Sequence, residues 1–210
     1  MFRDRLDAAR RLADRLGDLR GHTPLILAIP RGGVPMGRLI ADDLDGDLDV
    51  VLVHKLGAPG NPEYAIGAVA EDGSVQISDR ARRLYGDDYV REETEAQLRV
   101  LRERRRRYTP VRPPIDPAGR VVVVVDDGSA TGRTMVAALA ALRARRPERL
   151  IAGLGAAPPD AVRALERDAD EVVCLTETPD FYAVGQFFAD FAQVSDDDVV
   201  AALRSSRQSG

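Results

Sequence analysis

Val121-Val-Val-Val-Val125-Asp126-Asp127-Gly128-Ser129-Ala130-Thr131-Gly132-Arg133-Thr134 is the stretch on which the fold turns. Five consecutive valines have the pattern of a central parallel strand buried on both faces, because an edge or half-exposed strand would alternate apolar and polar residues. Two acids and a run of small residues then stop the strand, and the spacing predicts a helix from Arg133 to Arg145. A strand that passes through a tight polar turn directly into a helix is half of a β-α-β unit, whose strands must be parallel and joined by a crossover.

Working outward, the pattern repeats. Leu25 to Ile29 is a short apolar run broken by Pro30-Arg31-Gly32-Gly33, with helical periodicity from Val34 to Leu44, and Leu48 to His54 reads as a second buried strand. Lys55 to Asn61 has the composition of a loop. Ile66 to Ala70 and Val75 to Ser78 flank Glu71-Asp72-Gly73-Ser74 as a β-hairpin. Asp88 to Tyr108 lacks Pro and Gly and is dense in Glu and Arg, which predicts a long solvated helix, with Thr109 to Pro117 descending to the sheet. The Arg104 to Arg107 run is expected as a solvated helix end favoured by the C-terminal dipole, with an anion or partner patch as the alternative. Two more strands are predicted at Leu150 to Gly155 and Val172 to Leu175, around a helix from about Pro159 to Arg167. An amphipathic N-terminal helix on Phe2, Leu6, Ala9, Leu12, Ala13 and Leu16, closed by Gly17, should lie over the sheet, and Asp196 to Gly210 offers a short helix and a frayed end. The expected class is α/β, a doubly wound parallel sheet in one domain spanning 1–210.

The 210 residues, 44% apolar and 30% charged, suit a packed globular domain. With 30 Lys plus Arg against 34 Asp plus Glu, a net charge of −4, there is no global positive field to gather nucleic acid or an anionic membrane, so any anion site is local. No apolar run approaches the roughly 20 residues that span a bilayer and no secretion signal opens the chain, so a cytoplasmic location is expected. The single cysteine, Cys174, sits in an apolar run and is expected as a buried small hydrophobe. Lys55 is the sole lysine, every other basic side chain being arginine, which hints that this position needs a compact ammonium rather than a planar fork.

Doubly wound sheets bind ligands beyond the carboxyl ends of their strands, where Arg31, Lys55 and Asp126 to Thr134 all fall. The small residues from Gly128 to Thr134 let backbone N–H groups at a helix start wrap a phosphate monoester, with hydroxyls as further donors. Asp126 and Asp127 would repel a bare phosphate but accept hydrogen bonds from sugar hydroxyls and favour nearby Mg²⁺. Together they suggest a ribose 5-phosphate. The same residues do not form a P-loop, since Gly128 and Gly132 are too close and Arg133 replaces lysine; no Gly-x-Gly-x-x-Gly or Gly-x-Ser-x-Gly follows a predicted strand. His22 and His54 are read as positions without catalytic duty.

These residues resemble the PRPP (5-phosphoribosyl 1-pyrophosphate) signature of type I phosphoribosyltransferases. Ala28-Ile-Pro30-Arg31-Gly32-Gly33 is similar to the pyrophosphate loop of that family. His54-Lys55-Leu-Gly-Ala-Pro-Gly-Asn-Pro-Glu63, Ala65-Ile-Gly-Ala-Val-Ala-Glu71-Asp-Gly73 and Phe181-Tyr-Ala-Val-Gly185 resemble a bacterial phosphoribosyltransferase-like subgroup. The resemblance covers nearly the whole chain. It implies a five-stranded parallel core (about 22–175), a flexible-loop hairpin rising from the second strand, and a small hood (about 1–20 and 176–195) that selects the acceptor. It further implies that Asp126 and Asp127 hold the ribose hydroxyls, that Gly128, Ser129, Ala130, Thr131, Gly132, Arg133 and Thr134 cradle the 5-phosphate, and that Arg31, Gly32 and Gly33 bind pyrophosphate. Lys55 would then stabilise the leaving charge, and Mg²⁺ would arrive on PRPP near the two acids.

Hypoxanthine-type members carry an acid where this chain has Ala130, which disfavours that acceptor. Glu63 and Glu71 are candidate proton acceptors, and Phe181 and Tyr182 candidate acceptor-stacking residues. The expectation is a Mg²⁺-dependent transferase acting on PRPP and an unidentified nitrogenous cyclic acceptor, a homodimer by family likeness. A non-catalytic PRPP or nucleotide sensor and a hydrolase stand beside it as alternatives.

Overall fold

The computed structural model describes residues 1–204 and, of Glu63, the backbone alone. In chain order its elements are α1 (Arg5–Arg15), β1 (Leu25–Ala28), α2 (Gly33–Asp43), β2 (Asp47–Val50), β3 (Val53–Ala58), β4 (Asn61–Ala70), β5 (Val75–Ile77), α3 (Asp79–Tyr85), α4 (Asp87–Tyr108), β6 (Val121–Gly128), α5 (Arg133–Ala144), β7 (Arg149–Ala157), α6 (Pro159–Leu165), β8 (Glu171–Glu177) and α7 (Asp196–Arg204). The last six residues of the expected C-terminal tail lie outside the described residues.

Five strands form a parallel sheet in the order β2-β1-β6-β7-β8, and β3-β4-β5 form a separate antiparallel sheet. The valine run is the middle strand of the five. Val123 and Val125 join the core that also buries Leu12 of α1 and Ile40 of α2, whereas Val122 and Val124 join the core under Leu139 of α5 and Leu165 of α6. Alternation sends successive valines to opposite faces, so one apolar strand seeds both cores. Strand order reverses between β1 and β6. The chain leaves β1 for a helix on one face and leaves β6 for a helix on the other, so their two following loops part and leave a crevice between them.

Several boundaries differ from the sequence expectation. The run read as one strand, Leu48 to His54, is divided: β2 pairs with β1, and after Val51, whose N–H bonds Ala28 O at 3.1 Å, the chain turns into the antiparallel sheet as β3. Lys55 therefore lies on a strand, not in a loop. Apolar content alone cannot report that a continuous run changes sheets. β4 is longer than the hairpin arm expected, because it pairs with β3 and β5 at once. The helix α3 is not among the elements the sequence predicts; Ser78 opens it by accepting from Ala81 N at 3.2 Å. Gly17 begins a short 3₁₀ turn instead of a left-handed cap, and positive φ appears later, at Gly21 (φ 86°) and Thr23 (φ 46°).

The arginine run at the end of α4 is partly structural, contrary to its expectation as a solvated end. Arg105 is paired with Glu71 through Nε (2.7 Å) and Nη2 (2.5 Å) and with Asp49 through Nη1 (3.2 Å), and its Nη2 also donates to Val50 O at 2.9 Å. This one guanidinium ties α4 to β2 and to the tip of the hairpin. Arg107 reaches Asp197 at 2.6 Å, fastening the same helix end to α7. The N-terminus is anchored as well: Phe2 N donates to Phe187 O (2.7 Å), and Ala189 N and Asp190 N return bonds to Phe2 O and Arg3 O (2.8 Å each). Among the described residues no helix is long and apolar enough to cross a membrane.

Candidate active site

The crevice at the switch point is built by close backbone approach. A Cβ on Gly32 would fall 2.1 Å from Asp127 Oδ2, and one on Gly33 would fall 2.4 Å from Val125 O, so the Arg31-Gly32-Gly33 loop rests directly on the end of β6. Only hydrogen fits there. The two acids are not on a loop: β6 continues to Gly128, pairing Asp126 with Leu154 and Gly128 with Ala156 of β7. Gly155 permits this, since a Cβ there would meet Asp127 O at 2.5 Å. Sheet hydrogen bonds thus fix the carboxylates in place.

Beyond them the chain turns tightly. Ser129 N donates to Ala156 O (3.0 Å) and Gly132 N to Ser129 Oγ (3.0 Å), so these two amides close the turn rather than face a ligand. Among the described residues the amides of Ala130 and Thr131 make no hydrogen bond, which leaves them, with the first N–H groups of α5, as the donors of the cup. Gly132 is left-handed (φ 71°), and a Cβ there would lie 3.3 Å from Ala161 O.

The structure adds a residue that sequence reasoning missed. Arg5, at the start of α1, pairs through Nε with Asp127 Oδ2 at 2.8 Å, donates from Nη1 to Ala192 O at 2.6 Å, and holds its guanidinium carbon 3.8 Å from the centre of the Phe191 ring. Arg5 and Asp127 are only 12% and 11% exposed. Nothing local distinguishes Arg5 among so many arginines; the contact spans 122 positions. Burial pushes the Asp126 carboxyl well above its ordinary range, and the adjacent charge of Asp127 pushes it further. Asp127 is also raised by burial, while its bond to Arg5 opposes the rise.

Lys55 pairs across the hairpin with Ala68, whose side chain belongs to the core beneath α5; the lysine therefore shares the hairpin face turned toward the helix that follows the cup. Arg133 of α5 donates through Nη1 to Ala65 O of β4, linking cup and hairpin directly. Thr131 and Ala68 line one cleft of about 750 Å³ between these elements. Glu71, one of the two candidate proton acceptors, is held by Arg105, and the Glu63 side chain lies outside the described residues.

The segment 181–191 lies over the ends of β6 and β7. Val184 fills the space above Gly128, and Phe188 that above Gly155. Gln186 braces its turn by accepting from Tyr182 N (2.7 Å) and Ala183 N (3.0 Å) and donating to Asp180 O (2.7 Å). Phe181 packs on Phe187 with ring centroids 5.1 Å apart, whereas Tyr182 is 88% exposed. His22 is exposed, and His54 Nδ1 lies 2.9 Å from Lys55 O.

Comparison with known proteins agrees with this arrangement. Residues 3–192 match the phosphoribosyl transferase domain family. Curated relatives from two Mycobacterium tuberculosis strains, each named "Putative phosphoribosyl transferase", are 43% identical over 205 residues, 97% of this chain and 46% of theirs; the chain thus spans about half their length. A crystal structure of a protein from Thermus thermophilus superposes with a TM-score of 0.86 at 46% identity, covering 97% of both chains.

Proposed function

The chain belongs to the phosphoribosyl transferase family, and we propose that it transfers ribose 5-phosphate from PRPP to a nitrogenous cyclic acceptor. The observation that carries this reading is the contact of Gly32 with Asp127, which joins an anion-binding loop and a pair of hydroxyl-accepting carboxylates in one crevice. Asp126 and Asp127 hold the ribose 2- and 3-hydroxyls. The free amides of Ala130 and Thr131, with Gly128, Ser129, Gly132, Arg133 and Thr134 shaping the cup, hold the 5-phosphate, and Arg31, Gly32 and Gly33 hold the pyrophosphate.

In this reaction the bond from C1 to the pyrophosphate oxygen breaks, a bond from C1 to the acceptor nitrogen forms, and the acceptor loses a proton. Positive charge grows on the sugar and negative charge on the leaving group, so catalysis rests on positioning and on Lys55 beside the departing pyrophosphate. Two adjacent carboxylates, one with an oxygen already taken by Arg5, suit a cation whose other oxygens come from substrate; Mg²⁺ carried by PRPP would sit beside Asp126 and Asp127 and neutralise phosphate charge. Tyr182 and Phe181 stand on the acceptor side. In keeping with the family, the active unit is a homodimer in the cytoplasm.

The test is incubation with PRPP, Mg²⁺ and a panel of bases and aromatic heterocycles while pyrophosphate is followed. Release only with an acceptor supports transfer; release without one marks a hydrolase, and tight PRPP binding without release marks a sensor. Replacement of Lys55 by Ala should lower kcat more than it weakens PRPP binding, and a loss confined to binding would remove it from the chemical step.

A further inference from the structure

The cleft of about 750 Å³ extends well past the cup, and three arginines from different elements reach it: Arg80 of α3, Arg133 of α5 and Arg167 just after α6. Among the described residues no aspartate or glutamate lines it, although the chain as a whole carries a charge of −4. Among the described residues these arginines form no ion pair, whereas arginines close by in sequence are engaged: Arg82 with Asp87, and Arg163 with Asp160. Tyr64 of β4 and Leu84 and Tyr85 of α3 line it as well, with Tyr64 57% and Leu84 67% exposed. Neither Asp126, Asp127 nor the Arg31 to Gly33 loop borders this space.

We infer that the cleft, which meets the cup at Thr131 and Arg133 and extends away from the acids, is a second ligand site that takes an anionic compound with a flat apolar body, of the nucleotide class. Uncompensated guanidinium groups on both walls meet phosphate oxygens with charge-assisted, bidentate geometry, and exposed tyrosine and leucine surface covers a planar ring. A site of this volume accommodates a ligand of that size. The two walls, the hairpin that bears Lys55 and the start of α5, are joined by the bond of Arg133 to Ala65 O and by the packing of Ala68 in one core with Met135 and Leu139. A ligand bridging them holds the hairpin against the cup, which makes the site regulatory for whatever chemistry the crevice performs.

The probe is ATP, titrated by calorimetry without PRPP. Arg80→Ala with Arg167→Ala, both on exposed positions outside the crevice, should weaken ATP binding at least about tenfold and leave PRPP binding with Mg²⁺ within about twofold of the unsubstituted protein. Asp126→Asn with Asp127→Asn should do the reverse. ATP binding that is insensitive to the arginine pair, lost with the acid pair, or absent at millimolar concentration overturns the inference. If the protein binds ATP in this pattern but does not bind PRPP, the proposed function fails and the second site stands. Far-ultraviolet circular dichroism of each variant checks that it is folded.

Discussion

Replacing Arg5 by Ala tests the contact that joins the N-terminal helix to the acid pair. Arg5 and Asp127 meet at 2.8 Å with about nine-tenths of each side chain removed from solvent, so the pair is not a screened surface bridge. Removing one member of a buried pair strands the other and costs about 3–5 kcal/mol. The lower end applies here, because burial already favours protonation of Asp127, and proton uptake limits the penalty. Loss of the stack on Phe191 contributes about 1 kcal/mol of that total. The expected outcome is a loss of about 3 kcal/mol, a fall in the urea midpoint of roughly 1 M or more. Asp127→Asn in the Arg5→Ala background should recover about 2 kcal/mol, since the neutral amide no longer needs a counter-charge. A coupling energy below about 0.5 kcal/mol in the four-protein cycle would refute the claim that Arg5 holds Asp127 in its charged form.

Gly32→Ala keeps an ordinary helical backbone (φ −60°, ψ −35°) but drives a methyl into Asp127, so its effect is steric alone; PRPP affinity by calorimetry should fall at least about tenfold, and an unchanged affinity would separate loop and acid. Asp126→Asn bears on pH. A carboxyl whose folded pKa is raised gives up its proton later than in the unfolded chain, so stability falls as pH rises from the ordinary carboxylate range through the raised value. The variant should therefore melt higher than the parent at pH 7, with the advantage gone near pH 3; an equal or lower midpoint at pH 7 contradicts the assigned burial. Burial likewise pushes the Cys174 thiol up to about 11, so iodoacetamide at pH 8 should leave it unlabelled in the native protein and modify it after unfolding, as read by mass spectrometry.

Much of the architecture was legible because it is written in local chemistry. The valine run announces a strand buried on both sides, the glycine loops announce turns where backbone must approach closely, and the crossovers follow from strand-helix alternation. The acid pair, the Arg31 loop and the cup were found for the same reason: each is a contiguous motif at a strand end. What the sequence left hidden was distributed. The passage of one apolar run from the parallel sheet into the hairpin, which sets Lys55 on a strand, depends on pairing with β4 some dozen residues on. Arg105 was read as solvated because its partners, Asp49 and Glu71, lie 56 and 34 positions away.

By itself, then, the sequence determined the strand-helix alternation of the parallel core, the two glycine-bearing loops and the acids between them, since hydrophobic periodicity and turn chemistry act over a few residues. Tertiary structure alone decided that Arg5 closes on Asp127, that Glu71 is withdrawn into an ion pair, and that three arginines converge on one cleft. Charge acts through space, and only the folded chain sets which distant groups share a low-dielectric neighbourhood.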